Sequence, residues 1–326
     1  MEDDFRETAD RIQDLALGGG GGRGGRNRRG GGGGRRGGGG GGQNRQVQIS
    51  KALSLLLRHQ AHSAGIKLDA EGYAPLDRVL QWPRLRSLNP SVAEIKEEVA
   101  TNAKQRFSLK PKNPDSDSSV SSSTGDAAHW LIRANQGHSI ALASEGLHTP
   151  ITLEAGNVPD VVVHGTYFAF WPAIVAAGGL KKMGRTHVHF GTGVPGDEGK
   201  GQSNKPKVIS GMRADAELLI FVDVKKALLD NDAGEENTGG EIKWWMSENN
   251  VVLTEGNAEG LVPLKYFKEV SGRRQGVGLL WKDGEKVADL PDGVVARVPQ
   301  GKGRASGSAG GERGGRGGRR GRGRGS

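Results

Sequence analysis

Residues 53–60 read LSLLLRHQ, an apolar run that ends in two adjacent basic groups, Arg58 and His59. Taken alone, such a pair suits a helix C-terminus, where cationic side chains complement the macrodipole. Three further islands set basic or imidazole groups among apolar residues: IRANQGHS (132–139), VVHGT (162–166) and GRTHVHF (184–190). SGMR (210–213) adds another. Together they supply Arg58, His59, Arg133, His138, His164, Arg185, His187, His189 and Arg213. Guanidinium groups present forked donors that match phosphate oxygens, often two at a time. Several arginines converging with a histidine suit a phosphate monoester. Its double charge needs more than one cation if it is to be held away from bulk water.

A metal reading competes for the same residues. His187 and His189 share one face of a strand and, with His164, could bind zinc. No carboxylate stands at ligand spacing beside them, so no metal is expected. The competing structural reading makes one of the two a buried histidine bonded to backbone. The islands contain no phosphate-loop or dinucleotide-fold glycine pattern, so a nucleotide site here must be of another kind.

The elements that position these groups can be read from patterning. A hydrophobic fraction of 34% over 326 residues supports one sizeable core or two small ones. There is no cysteine, which excludes disulfides and thiolate zinc sites. No apolar run approaches the length of a membrane span, and the acidic start MEDDFRETAD does not read as a signal peptide. A soluble protein of the nucleus or cytoplasm is expected. The net charge of +9 is unevenly spread: residues 18–46 carry +7, 302–326 carry +7 and 1–17 carry −4, leaving the body at −1. The Gly/Arg segments cannot bury apolar surface and are expected to be disordered, with arginines that can neutralise nucleic-acid phosphates.

Residues 47–128 read as a first unit. Val47, Leu53, Leu56 and Leu57 share a helical spacing, Asp69–Gly72 is a turn, and a second helix has Pro75 in its first turn. A third helix starts at Ser91 with Glu94 three residues on, a capping box. RFSLK is a short strand, and three helices with a β-wing suggest a winged-helix-like lobe. Residues 111–126 are Pro/Ser/Asp-rich and read as a long flexible loop leading to a strand in HWLIRAN. Residues 129–275 carry interleaved strands: VVVHGTYF, THVHF, AELLIFVDV and NNVVLTEG, with helices in FWPAIVAAGGL and KKALLD. Residues 194–207 form a second hydrophilic loop, 276–300 an extension with a possible hairpin in GLLWKDGEKVADL, and 301–326 an Arg/Gly tail. The fold class is α+β.

Taken in order, LSLLLRHQAHSAGIKLDAEGYAPLDRVL, RFSL, IRANQGHS, VVHGT, GLKKMGRTHVHF, SGMRADAELLIFVDV and NNVVLTEG resemble the tRNA 2'-phosphotransferase family over roughly residues 47–270. The chain departs from the family's shorter members at the two hydrophilic loops, the Gly/Arg tails and the segment after 275. The resemblance implies a winged-helix RNA lobe joined to an ADP-ribosyltransferase-like lobe. It implies NAD as a consumed co-substrate and, as partner, a tRNA with an internal 2'-phosphate left at the splice junction. The RNA 2'-phosphate would attack C1'' of the nicotinamide ribose and expel nicotinamide. The ADP-ribosylated RNA would then break down as the ribose 2''-hydroxyl attacks phosphorus, giving 2'-OH RNA and ADP-ribose 1'',2''-cyclic phosphate.

By the family pattern Arg58, His59 and Arg133 carry over to the catalytic set. Arg213 is the fourth arginine, with Arg185 the competing assignment. Arg58 should disfavour the imidazolium form of its neighbour His59. A His–His–hydrophobic nicotinamide-ribose signature maps to His164, His189 and Val252, with Gly165 and Thr166 beside it. His138 and Ser139 are implied at the NAD phosphates or adenosine. A monomer is expected. ADP-ribosylation of nucleic-acid terminal phosphates, or non-catalytic RNA binding by the Arg/Gly tails, are the alternative functions.

Overall fold

The computed structural model of the protein describes residues 40–113, 126–195, 210–213, 215–233, 240–294 and 296. The Gly/Arg arm up to residue 39, most of the Ser/Asp-rich loop, residues 196–209 and the whole Arg/Gly tail lie outside the described residues.

Helix α1 spans Gly40–Leu55 and runs directly into a π-helical turn, Leu56–Gln60. Ile49, Ala52, Leu53, Leu56 and Leu57 are buried at the i, i+3, i+4, i+7, i+8 positions of one helix face. Val47, expected on that face, is 47% exposed, because its turn of the helix points elsewhere and Ile49 takes the inward position. The helix also starts earlier than expected, inside the glycine-rich segment taken as disordered. Glycine is a poor helix former, so contacts further along must hold the start. Arg45 Nε bonds Glu94 Oε1 at 2.6 Å, and Gln46 Nε2 bonds Thr101 Oγ1 at 2.9 Å.

Strand β1 (Ala74–Pro75) leads into α2 (Leu76–Gln81), with Pro75 as its N-cap rather than in its first turn. Helix α3 (Pro83–Leu88), not foreseen in the sequence, opens on a proline in its first turn and ends on Asn89 in the left-handed region. Helix α4 (Val92–Thr101) carries the expected capping box, with Ser91 Oγ accepting from the Glu94 amide. Strands β2 (Phe107–Pro111) and β3 (Trp130–Ala134) complete an antiparallel sheet in the order β1-β3-β2. β3 therefore belongs to the first lobe. The lobe boundary expected at 128 lies beyond this strand, because Ile132 and Ala134 close the same core as Leu53 and Leu56.

Helix α5 (Ser144–Leu147) links to the second lobe. Its strands are β4 (Thr149–Ile151), β5 (Val163–Thr166), β6 (Gly179–Lys181), β7 (Val188–Gly191), β8 (Leu218–Val222), β9 (Trp244–Met246), β10 (Val251–Thr254), β11 (Leu261–Pro263), β12 (Phe267–Gly272), β13 (Leu279–Lys282) and β14 (Glu285–Lys286). Among the described residues nine of them form one sheet in the order β14-β13-β12-β8-β5-β7-β10-β9-β4, and β11 pairs with β6. Helices α6 (Trp171–Ala176) and α7 (Val224–Asp232) accompany the sheet. Phe190, Ile220, Trp244, Val252 and Phe267 lie in its core. The hairpin expected in the 276–300 extension exists as β13–β14, and β13 extends the large sheet by pairing with β12. The mixed architecture is α+β. No helix among the described residues is long and apolar enough to cross a membrane.

Replacing Ser91 with Ala should lower folding stability by about 1 kcal/mol through loss of the α4 N-cap, measured by urea unfolding. An unchanged midpoint would mean that Glu94 alone secures that end through Arg45.

Candidate active site

The π-helical turn determines where Arg58 and His59 point. A wider turn leaves a carbonyl outside the ordinary helical ladder, and such turns recur at functional positions. Here the Arg58 carbonyl accepts from the amides of Ser139, at 3.0 Å, and Ile140, at 3.3 Å. The basic pair is thus tied to the QGHS loop instead of simply capping a helix. Gly137, at φ +87°, lies against the Arg58 guanidinium, with its would-be Cβ 3.6 Å from Cζ. His59 Nδ1 is 2.9 Å from Ser139 Oγ. Arg58 is buried, with 4% of its surface exposed.

The loop is held from both sides. Asn135 Nδ2 donates to the Gln105 carbonyl, and the Asn135 amide donates to the Arg106 carbonyl, both at 2.9 Å. From the second lobe, the Thr186 amide and hydroxyl both donate to the His138 carbonyl, at 3.0 and 3.1 Å. His187 is buried between Thr186 Oγ1 at 2.8 Å and Ser144 Oγ at 2.9 Å. This is the bland alternative to a metal ligand, with side-chain hydroxyls in place of backbone as its partners. Among the described residues no group of three or more His, Asp or Glu is arranged to hold a metal ion.

On the large sheet, His164, Gly165 and Thr166 lie opposite Ile220, Leu219 and Leu218. Gly165 is required there: a Cβ would come 2.4 Å from Met212 Cγ and 2.8 Å from Ala216 Cβ. His164 Nδ1 is 2.9 Å from the His189 carbonyl, so that nitrogen carries the proton. Thr166 is buried, and its carbonyl accepts from the Glu217 amide at 2.8 Å. The register separates Val252 from His189. Val252 pairs with Phe190 and is fully buried in the apolar core, whereas Leu253 pairs with His189 on the other face. His164, paired with Ile220, shares that first face with Phe190 and Val252.

The arginines arrive from both lobes. Arg133 Nη1 donates to the Glu71 carbonyl at 3.0 Å, Nη2 meets Glu248 Oε2 at 2.8 Å, and the guanidinium lies over the Tyr73 ring at 4.8 Å. Arg213 Nη1 donates to the Tyr167 hydroxyl at 3.2 Å, and that hydroxyl donates to Asp215 at 2.7 Å. Arg185 weighs on His59 more than Arg58 does. Arg213 and Arg58 together depress Lys104, after burial and Arg106. Arg58 thus acts on both groups, in company with Arg185 at His59 and with Arg213 at Lys104.

Burial and this positive field keep the imidazoles neutral. His59 is pushed down to about 3, by burial first and then by Arg185 and Arg58. The expected effect of Arg58 is present, but desolvation outweighs it. His148 is likewise pushed down to about 3, mainly by burial, with His187 and Arg133 adding to it. Burial also drives His138 and His189 well below the ordinary value. Several buried polar atoms here have no protein partner among the described residues: Arg133 Nε, His138 Nε2, His189 Nε2 and Arg213 Nη2. Buried unpaired donors are costly unless a ligand meets them, and arginine donors match phosphate oxygens.

The patterning missed Tyr73, Ser108, Tyr167 and Glu248, which hold the arginines in place. Glu248 directly precedes the NNVVLTEG motif, but nothing in its own spacing marks it.

A phosphate-directed cluster on an α+β fold is the class of protein these features define. Residues 44–256 match the family model described as RNA 2'-phosphotransferase, Tpt1 / KptA family. The tRNA 2'-phosphotransferase 1 of Bos taurus is 44% identical over 230 residues, covering 70% of this chain and 76% of that protein. That of Homo sapiens is 40% identical over 227 residues, covering 70% and 76%. The tRNA 2'-phosphotransferase of Saccharomyces cerevisiae is 34% identical over 212 residues, covering 64% and 79%. The chain belongs to the RNA 2'-phosphotransferase, Tpt1 / KptA family.

The neutral histidines give a pH dependence with a definite sign. Above about pH 6.5 neither the folded nor the unfolded chain protonates them. Between about pH 6.5 and 3 the unfolded chain takes up protons that native His59 and His148 refuse, so stability falls as pH is lowered. Melting temperature should hold from pH 7.5 to about 6.5 and then drop steadily to pH 5, before most carboxylates titrate. A flat profile over that range would contradict the neutral-imidazole site.

Proposed function

We propose that this chain is an NAD-dependent tRNA 2'-phosphotransferase that removes the splice-junction 2'-phosphate as the last step of tRNA splicing. Membership of the family supports the reaction class. The fixing of Arg58 and His59 against the QGHS loop, and of Arg133 by Glu71, Tyr73 and Glu248, is the observation that supports carrying the reading to residues. The first lobe, in this reading, is a winged-helix-like RNA platform, and the large sheet is an ADP-ribosyltransferase-like support for NAD.

NAD supplies the C1'' that the 2'-phosphate attacks with loss of nicotinamide and the 2''-hydroxyl that then takes the phosphate, so the products are 2'-OH RNA and ADP-ribose 1'',2''-cyclic phosphate. The chain's own part is chiefly electrostatic. Arg58 and Arg133, with Arg213 as the fourth member, hold the phosphate oxygens and stabilise charge that builds on them during transfer. Arg185, beside His59, is the alternative fourth member. The neutral His59, 2.9 Å from Ser139 Oγ through Nδ1, is the group assigned to orient a reacting hydroxyl. His138, Ser139, His164, Gly165, Thr166, His189 and Val252 form the NAD side. The unpartnered His138 Nε2 and His189 Nε2 fit a ligand rich in polar atoms.

A single-turnover assay tests this on a short RNA bearing an internal 2'-phosphate, with and without NAD. Wild-type protein should release the 2'-phosphate only with NAD and produce the cyclic ADP-ribose phosphate. Arg58→Ala and His59→Ala should each lose about 100-fold or more in rate. Retained binding with no phosphate loss would return the chain to a non-catalytic RNA-binding role.

A further inference from the structure

Glu248 sits in the β9–β10 hairpin and reaches across to the first lobe. Its Oε2 is 2.8 Å from Arg133 Nη2 and 2.6 Å from Ser108 Oγ. The next residue, Asn249, is buried and donates to the Lys104 carbonyl at 3.0 Å. The hairpin is therefore pinned at Asn249, while the Glu248 side chain is 53% exposed and can turn to water. Arg133 has no such freedom. Its side chain is 12% exposed, stacked on Tyr73 and fixed by the Glu71 carbonyl. A phosphate oxygen that takes the place of Glu248 Oε2 at Arg133 Nη2 must displace that carboxylate.

We propose that Glu248 is a specificity-determining residue: its carboxylate holds the Arg133 fork against singly charged phosphodiesters and yields it to a doubly charged phosphate monoester. The inference rests on the 2'-phosphate reading given above. Exchanging a carboxylate for a backbone diester swaps one single negative charge for another and gains little. A monoester carries about −1.5 to −2 at neutral pH, and its added charge is attracted by the other arginines in proportion. Every RNA offers many diesters for each junction monoester, and contacts to them otherwise dominate affinity. A resident carboxylate raises the threshold for all of them together.

Equilibrium binding without NAD tests this, using the full chain and two RNAs of one sequence, with and without an internal 2'-phosphate, at fixed salt. Glu248→Gln keeps the shape and removes the charge. It should bind the unmodified RNA about threefold tighter or more, with a smaller change for the 2'-phosphorylated RNA, so the ratio of the two affinities falls. Glu248→Asp keeps the charge and should keep the ratio. Melting curves check folding, and Glu248→Ala serves as a second neutral variant with the same expected direction. An unchanged ratio in both neutral variants, or equal weakening for both RNAs, would overturn the proposal and make Glu248 a brace for Arg133. If wild-type protein does not distinguish the two RNAs, the 2'-phosphate reading itself fails; if it does and the neutral variants distinguish them equally, only the role of Glu248 fails.

Discussion

Arg58 is 4% exposed and the Arg133 side chain 12%, and a charge held out of water is costly unless it is met. Much of the surrounding structure can be understood as what makes that tolerable. Arg133 is met by a carbonyl, a carboxylate and an aromatic face. Arg213 is met by a tyrosine hydroxyl that is itself tied to Asp215. The histidines among them cannot add to the charge, and burial keeps them neutral. Such a field is the preorganised electrostatic environment that phosphoryl transfer demands.

The seam holds because each lobe contributes to fixing the other's loops. The Arg58 carbonyl secures the Ser139 and Ile140 amides within the first lobe, and Thr186 of the second lobe secures the next carbonyl back along that loop. Asn249 returns the favour by capturing the Lys104 carbonyl. The contacts use backbone groups, whose positions vary less than those of long side chains. Sub-ångström placement of guanidinium groups is set in this way by hydrogen bonds one layer behind them.

The chain announced its chemistry more clearly than its geometry. Arginine and histidine islands between apolar runs were visible because charge among core residues is costly and rarely accidental. The capping box at Ser91 was legible for a similar reason: it is local, and its partner lies three residues on. What could not be read depended on contacts distant in sequence. The start of α1 at Gly40 is held by Glu94 and Thr101, some fifty residues away. The inclusion of β3 in the first lobe is decided by its pairing with β1 and β2. The pairing of Val252 with Phe190 inside the large core is likewise fixed by strand register, which its motif does not reveal. Glu248 carried no signal at all, since its role is defined by an arginine on the other lobe.

The uninterrupted path from Gly40 through Leu55 into the Leu56–Gln60 turn has a mechanical consequence. At about 1.5 Å per residue, the point where the glycine-rich arm joins the folded body lies roughly 27 Å from Arg58. The helix acts as a ruler. Groups at its first turn and the guanidinium of Arg58 therefore cannot meet the same small ligand; only an extended one could touch both.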